Sequence, residues 1–547
     1  MVAKKKIQKK ATPPESKISP KENAPDFSFN LLTEPWIPVV HKTSKKQLLN
    51  LNDFLRTAHK LERFDFPLPG LETAVIRFLV ALVHIVGAPE TLKEWEEKLS
   101  KGKFEESFIK ELNEKYFDKL DLFSKKNPFM QERISDEKFI KPISKLIDEF
   151  PSGNNSIHFS PLEQKTSHAQ EMQISATSAA ALLLYANMTP RSGLGGFLSG
   201  VINAKTPYFI LLKGKNLFES VYLNVIHQSQ YSDNIGSKQI GKNDLGWPKK
   251  YEGQITLDKI NIQNGLLWKS RSILLIPYAS EAQVCIITGN RSSINIKKIF
   301  YAPQIANLTP KTLWSDPYQG VIQIKNKIKK TSPTGKSMPI WKDYPAFIFF
   351  EEEQKEKIKR TPPLVITRIL QSKLAKKFDI SIFVFGVFTK QDKVFQATEN
   401  SFPFVPKFVE NEDFTKSIKY FIIQTANFEK HIQSALIKSL IKDNEKISRD
   451  RKKKITDNIR NSFQSSYWQE IGSNFEQTLQ RLSSEDDPNL VQNEWNELLA
   501  NHVRKTFYKH TEKLIRNPKN LKQYQAGYQF LEKRVQGILL KHKRESK

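Results

Sequence analysis

Residues 402–408 read FPFVPKF and residues 414–441 read FTKSIKYFIIQTANFEKHIQSALIKSLI, and between them the chain changes its rhythm. Upstream, apolar residues come in short strand-like runs; downstream, they recur with helical periodicity. Three more stretches continue that pattern: SFQSSYWQEIGSNFEQTLQRL (462–482), VQNEWNELLANHVRKTFYKHTEKLI (491–515) and YQAGYQFLEKRVQGILLKHK (524–543). Four amphipathic helices must bury their apolar stripes on one another, which implies a bundle. The boundary falls near residue 407.

Upstream of it the pattern is mixed. FNLLTEPWIPVV (29–40) reads as an entry strand, with Asn52 or Asp53 as the expected cap of a short helix. Residues 71–86 and 90–121 have helical spacing, and ISATSAAALLLYANM (174–188) is a small-residue helix. Strands are expected in TPYFILLKG (206–214), LLWKSRSILLIP (266–277), AQVCIITG (282–289), YPAFIFFEE (344–352), ISIFVFGVFTK (380–390) and KVFQATE (393–399). The expected fold class is α+β. A disordered basic tail (1–26) precedes a large mixed α/β domain (27–407) and a four-helix bundle (408–547). A chain of 547 residues is long enough for two cores.

The charge is lopsided, with 86 Lys+Arg against 58 Asp+Glu and a formal net charge of +28. Such an excess attracts polyanions through counterion release, and nucleic acid is the usual partner. Lysines concentrate at Lys297 and Lys298, at Lys325, Lys327, Lys329 and Lys330, at 355–360 and at 373–377. Their interleaving with Trp314, Tyr318 and Trp341 suits a phosphate-tracking surface. A single cysteine, Cys285, excludes an intrachain disulfide and a Cys-based zinc knuckle, and fits a reducing cytoplasm. The apolar run 75–86 contains Arg77 and His84 and is far shorter than the ~20 residues that span a bilayer, so no membrane partner is expected. No HExxH or GxSxG motif is present, and the ten histidines are scattered. An enzyme is therefore disfavoured.

Two segments stand out. ANMTPRSGLGGFLSG (186–200) runs from a helix into closely spaced glycines, whose bare backbone can approach a phosphate or a groove edge; a tight structural turn is the plainer reading. ISIFVFGVFTKQDKVFQATE (380–399) reads as a hairpin with Thr389, Lys390 and Gln391 at its tip. Such a ribbon can push a flat amide between base pairs, or it can be an ordinary polar β-turn.

Taken in order, FNLLTEPWIPV (29–39), NPFMQ (127–131), ANMTPRSGLGGFLSGVINAKTP (186–207), LLKGKNLFESVYLNVI (211–226), GLLW (265–268), the hairpin and the helical bundle resemble the CasA family. That family is the large subunit of the type I-E CRISPR surveillance complex, Cascade. The resemblance implies a non-catalytic subunit that recognises the protospacer-adjacent motif of double-stranded DNA through the minor groove. It also implies that the subunit wedges the duplex open for guide RNA pairing and supports recruitment of a helicase-nuclease. Its glycine loop falls on Gly193, Leu194, Gly195 and Gly196. Its wedge falls on Gln391, with Thr389 and Lys390 as neighbours and Gly386 preceding it. Its lysine finger falls on Lys297 or Lys298, with Lys311 as a competitor. Phe159 opens the polar segment (160–173) that would contact guide RNA and the other Cascade subunits. Some relatives carry a Cys-rich zinc loop before the finger; AQVCIITGNRS (282–292) keeps only Cys285, so neither a metal nor a cofactor is expected. The rival readings are a metal-dependent nuclease or nucleic-acid-modifying enzyme, and a purely structural RNA- and protein-binding scaffold.

Overall fold

The computed structural model describes residues 26–147, 172–189, 207–235, 247, 253–256, 260–280, 284–303, 306–308, 314–325, 327–333, 339–353, 358–390, 393–440, 448–485 and 487–545. Strands β1 (Ile37–His41) and β2 (Lys46–Leu49), helix α1 (Leu51–Thr57) and strand β3 (Leu61–Phe64) open the fold, with sheet order β2-β1-β3. Trp36 fixes the entry: its buried indole Nε1–H donates to the Leu31 carbonyl at 3.0 Å. The cap of α1 is Asn50, which accepts the Asp53 N–H at 2.8 Å. The expected caps, Asn52 and Asp53, are the second and third residues of the helix.

Helix α2 (Leu71–Gly87) is the axis of the N-terminal core, buried at every position from Leu71 to Ile85 except Glu72. A helix apolar nearly all round needs partners all round. Those are α4 (Glu106–Tyr116, after α3, Leu92–Ser100), α5 (Ala176–Met188), α6 (Leu217–Tyr222) and α7 (Ile262–Leu266). Within this apolar setting Arg77 meets Asp316 at 2.9 Å, both side chains 1% exposed. Desolvating such a pair costs about what its attraction returns, so its role is to fix geometry.

Strands β4 (Ile140–Pro142) and β5 (Ile174–Ser175) line one edge of β9 (Ile294–Pro303), and β8 (Arg271–Ala279) lines the other. A parallel pair joins β7 (Gly253–Ile255) to β10 (Ala306–Leu308). A third sheet has the order β12-β11-β14-β13, from β11 (Val321–Ile324), β12 (Lys327–Lys330), β13 (Glu351–Glu353) and β14 (Ile358–Thr361). The last has the order β16-β15-β6, from β6 (Phe209–Lys213), β15 (Ile380–Lys390) and β16 (Lys393–Phe404).

Two expected strands change character. Residues Tyr344–Ile348 form helix α8, started by Pro345 in its first turn, and only Glu351–Glu353 of that run is strand. Val284 to Gly289 is a turn closed by a bridge between Val284 and Arg291. Helix α9 (Leu364–Gln371) carries the buried Arg368, which donates to the Leu223 and Val225 carbonyls just past α6 and stacks 4.4 Å over Trp95.

The C-terminal helices are α10 (Glu412–Leu440), α11 (Arg449–Ser484), α12 (Pro488–Ile515) and α13 (Leu521–Glu545), and α10 packs on all three others. Trp341 ties this bundle to the α/β part. Its ring centroid lies 4.9 Å from Trp468 and 4.8 Å from Phe475, and its Nε1–H donates to the Trp468 carbonyl at 3.0 Å. No single helix among the described residues is long and apolar enough to cross a membrane.

Candidate nucleic-acid interface

The long arms of β15 and β16 pair from Ile380↔Phe404 to Lys390↔Lys393, with Gln391 and Asp392 between the arms in sequence. Those two residues lie outside the described ones, as do the side chains of Thr389 and Lys390. The ladder shifts register between Phe388 and Thr389, next to the tip. A bulge there sharpens the twist and re-aims the residues beyond it.

Lower down, the stem is buried through Ile382, Val384 and Phe385. Phe385 meets Tyr185 of α5 edge-on at 6.0 Å and stacks at 6.2 Å with Phe209 of β6. Gly70 closes this cluster with φ +82, where an added Cβ would lie 2.5 Å from both Phe385 and Tyr185. The Glu399 carboxylate of β16 accepts the Gly70 N–H at 3.0 Å. Burial pushes its pKa up, and the Gly70 N–H pulls the other way.

Gly193, Leu194, Gly195 and Gly196 also lie outside the described residues, within 190–206, but both ends of that segment are in view. On the near side α5 ends at Thr189, whose N–H and hydroxyl both donate to the Tyr185 carbonyl, at 2.9 and 2.8 Å. On the far side the chain returns at Tyr208 and enters β6, which pairs directly with β15. Tyr208 lies against Gly386, where a Cβ would come within 2.7 Å of its ring. The glycine before the tip therefore answers to a partner far away in sequence.

A third excursion starts at the same place. Thr331 follows β12 and accepts the Tyr208 N–H at 2.9 Å, while Pro333 would sit 3.3 Å from a Gly386 Cβ. The β11–β12 hairpin it closes carries Lys325, Lys327 and Lys329, all exposed and with no ion pair among the described residues. Lys330, at its root, is half-buried; burial brings its pKa down to about 8, opposed by Asp316 and assisted by Arg77. The aromatic residues read as part of this surface are not on it. Trp314, Tyr318 and Trp341 are at most 1% exposed and belong to the core.

Lys297 and Lys298 sit in mid-strand on β9. The Lys297 ammonium lies 5.2 Å over the Tyr278 ring, and Lys298 is exposed. The loop between β8 and β9 carries a different cation, the exposed Arg291, bridged to Val284 at the base of its turn; an arginine there has no distinguishing spacing in the sequence. Behind it the buried Cys285 thiol lies 3.3 Å from the Ser178 hydroxyl in the first turn of α5. Burial pushes this thiol up, but hydrogen bonds from Ser175, Ser178 and Thr288 outweigh it and bring it down to about 7. Phe159, Lys311, and the polar segment as far as residue 171 lie outside the described residues. Among the described residues no His, Cys, Asp or Glu cluster could hold a metal ion.

A family model described as CRISPR-associated protein Cse1 matches residues 30–506. The chain belongs to the Cse1 family. A curated relative from Thermus thermophilus, CRISPR-associated protein CasA/Cse1, is 32% identical over 216 residues, 38% of this chain. That match spans only 41% of the relative's length. The solved Cse1 of Acidimicrobium ferrooxidans is similar in fold, with a TM-score of 0.72 at 18% identity, over 95% of this chain and 99% of that one. A chain from a solved CRISPR RNA-guided surveillance complex has a TM-score of 0.62 at 16% identity, over 92% and 99% of the two chains.

Proposed function

We propose that this Cse1-family chain is the large subunit of an RNA-guided CRISPR surveillance complex and recognises the protospacer-adjacent motif of duplex DNA through the minor groove. One observation carries the reading. The glycine segment 190–206, the β15–β16 hairpin and the lysine hairpin β11–β12 all root at Tyr208 and Gly386. A bare backbone, an amide-tipped ribbon and free ammonium groups thus leave one rigid base together.

The minor groove offers a degenerate code, so shape and a wedge suffice there while guide pairing reads the sequence. In this reading the backbone of Gly193 to Gly196 approaches the groove edge. Gln391 enters below the motif, with Thr389 and Lys390 beside it. Lys325, Lys327 and Lys329 hold flanking phosphates. Lys298 and Arg291 supply a second cationic contact, with Lys297 held back over Tyr278. Opening a base step costs a few kcal/mol, offset by phosphate contacts and then by the heteroduplex. Phe159 and residues 160–173 meet the guide RNA and neighbouring subunits. Cutting is left to a recruited helicase-nuclease, with no catalytic role in this chain.

The test is motif-dependent duplex binding by the assembled complex. Gly196→Asp, which adds bulk and negative charge at a phosphate-facing loop, is expected to abolish motif discrimination. Gln391→Ala is expected to keep duplex binding and slow strand opening. Arg291→Ala and Lys298→Ala, compared side by side, tell which cation reaches DNA. Unchanged motif discrimination in both Gly196→Asp and Gln391→Ala rejects the assignment.

A further inference from the structure

Helix α5 ends without a local stop. Helices commonly close on a left-handed residue whose N–H reaches back to the last carbonyls, but Thr189 at this end has φ −116 and ψ 75. The carbonyls of the last turn are met by other means. Thr189 takes the Tyr185 carbonyl twice, through its N–H and its hydroxyl. The Asn187 carbonyl accepts the buried Ser270 hydroxyl at 2.6 Å. The Asn187 side chain accepts the Arg271 N–H at 3.4 Å and donates to the Leu183 carbonyl at 3.0 Å. The end of α5 is therefore held by residues 83 and 84 positions further along the chain, where β8 begins.

That beginning is itself held. Met130 is buried and adopts φ +54, a left-handed conformation unfavourable for a residue with a Cβ. Such strain persists where the surroundings over-determine it. Here the two residues that follow are bonded onto β8. The Gln131 Oε1 accepts the Leu275 N–H at 2.8 Å, and the Glu132 N–H donates to the Ile273 carbonyl at 2.9 Å. The Glu132 carboxylate accepts the Ser272 hydroxyl and pairs with the Lys269 ammonium at 2.8 Å. The Lys269 and Glu132 side chains are 4% and 9% exposed. A buried pair of this kind is often no more stable than well-packed apolar residues of like volume, so its contribution is geometric. Three stretches far apart in sequence, at Asn187, at Gln131 and Glu132 and at 269–275, thus meet in one junction at the point where the chain enters the glycine segment.

We infer that Ser270 and the Glu132–Lys269 pair are positioning residues for groove recognition: they fix where the glycine segment 190–206 leaves the fold, and so where its backbone meets the duplex. The inference rests on the proposed function and adds to it the side chains that aim the segment.

Two measurements on the full chain test it. In the assembled complex, motif discrimination is the ratio of affinities for duplexes with and without the motif, and single-stranded target, which needs guide pairing alone, is bound in parallel. Ser270→Ala is expected to lower discrimination about fivefold, the effect of one hydrogen bond, and to leave single-stranded binding unchanged. Glu132→Met with Lys269→Met, which puts apolar volume in place of the pair, is expected to keep the urea midpoint of the parent and to lose discrimination by a similar factor. A merely structural role predicts the reverse, a lowered midpoint with discrimination intact. Unchanged discrimination in both variants, with Gly196→Asp abolishing it, overturns the inference. The second readout needs no DNA. Spin labels at Ser192→Cys and Asn400→Cys, in a chain with Cys285→Ala, report the distance from the glycine segment to β16. Ser270→Ala is expected to shift or broaden that distribution, and an unchanged distribution overturns the inference. If Gly196→Asp leaves discrimination intact, the proposed function fails, and the label distances still decide whether the junction sets the exit of the segment.

Discussion

Gly386 in the hairpin stem and Gly472 in the bundle perform similar tasks with different tolerances. Each leaves room for an aromatic ring delivered from elsewhere in the chain, Tyr208 in the first case and Trp341 in the second. At Gly386 an added Cβ would overlap the ring at 2.7 Å; at Gly472 it would stand 3.2 Å from the indole, close enough to press but not to collide. Tyr208 is further locked by its hydroxyl, which donates to Asp343 at 2.7 Å. The base from which the three segments depart is thus packed without slack, and the joint to the bundle retains some. Under the proposed function, a ribbon that forces base pairs apart needs the stiffer seat, since any yielding at the root is subtracted from work done at the tip.

The sharpest way to break this contrast is at Gly70, which combines left-handed backbone with a Cβ position inside two rings. Gly70→Ala is expected to cost about 2–5 kcal/mol, from overpacking and a strained φ together, read as a lowered urea midpoint. Gly386→Ala is expected to cost about 1–3 kcal/mol. It should also weaken motif-dependent binding in the assembled complex, and Gly386→Ala combined with Tyr208→Leu should regain part of the stability. If Gly386→Ala is as mild as Gly472→Ala, the seat is not stiffer than the joint.

Acid offers a milder probe. Burial, and then the charge of Arg368, bring His84 on α2 down to about 3. The unfolded chain binds that proton near pH 6.5, so the stability contributed by neutral His84 is full above pH 6.5 and is lost as pH falls towards 3. The slope from this residue is about 1.4 kcal/mol per pH unit, and His84→Leu should flatten the pH dependence of stability between pH 6 and pH 4 by about that amount. His431 and His510 in the bundle are only partly buried and also lowered, so their removal should flatten it less. The smallest effect is expected at Gly472→Ala, where pressure on Trp341 is set against the roughly 0.5–1 kcal/mol that alanine gains over glycine in a helix. Its unfolding free energy from urea titration should stay within about 1 kcal/mol of the parent.

Much of the architecture is legible in the sequence because it is periodic. The bundle declares itself by helical spacing, α2 and α5 by apolar runs of helical length, and the β15–β16 hairpin by two alternating arms around a polar turn. What escapes notice is non-local or ambiguous. YPAFIFFEE carries the composition of a strand, but Pro345 is well placed in a first helical turn and burial on all sides erases the alternation that would tell the two apart. Trp314, Tyr318 and Trp341 sit among lysines in sequence, yet a large aromatic residue follows the core rather than its neighbours. Asn50 rather than Asn52 or Asp53 is the cap because the helix starts directly after β2, which leaves the Asp53 N–H to be satisfied by the Asn50 side chain. For the site, residue types point to the hairpin tip and the glycines, but their common seat depends on Tyr208, which no local pattern links to Gly386. Arg291 carries no signal in the sequence for the same reason, since its place opposite Val284 is a property of the folded turn.

The shared seat has one more consequence. Since each excursion has one anchor at Tyr208, through the start of β6, Gly386 or Thr331, the length and residues of any one can be altered without re-laying the other two. If the proposed function holds, substitution at the tips would retune which duplex is gripped while the handle stays as it is, and a segment transplanted from a relative should work if it ends on the same two anchors, Thr189 and Tyr208.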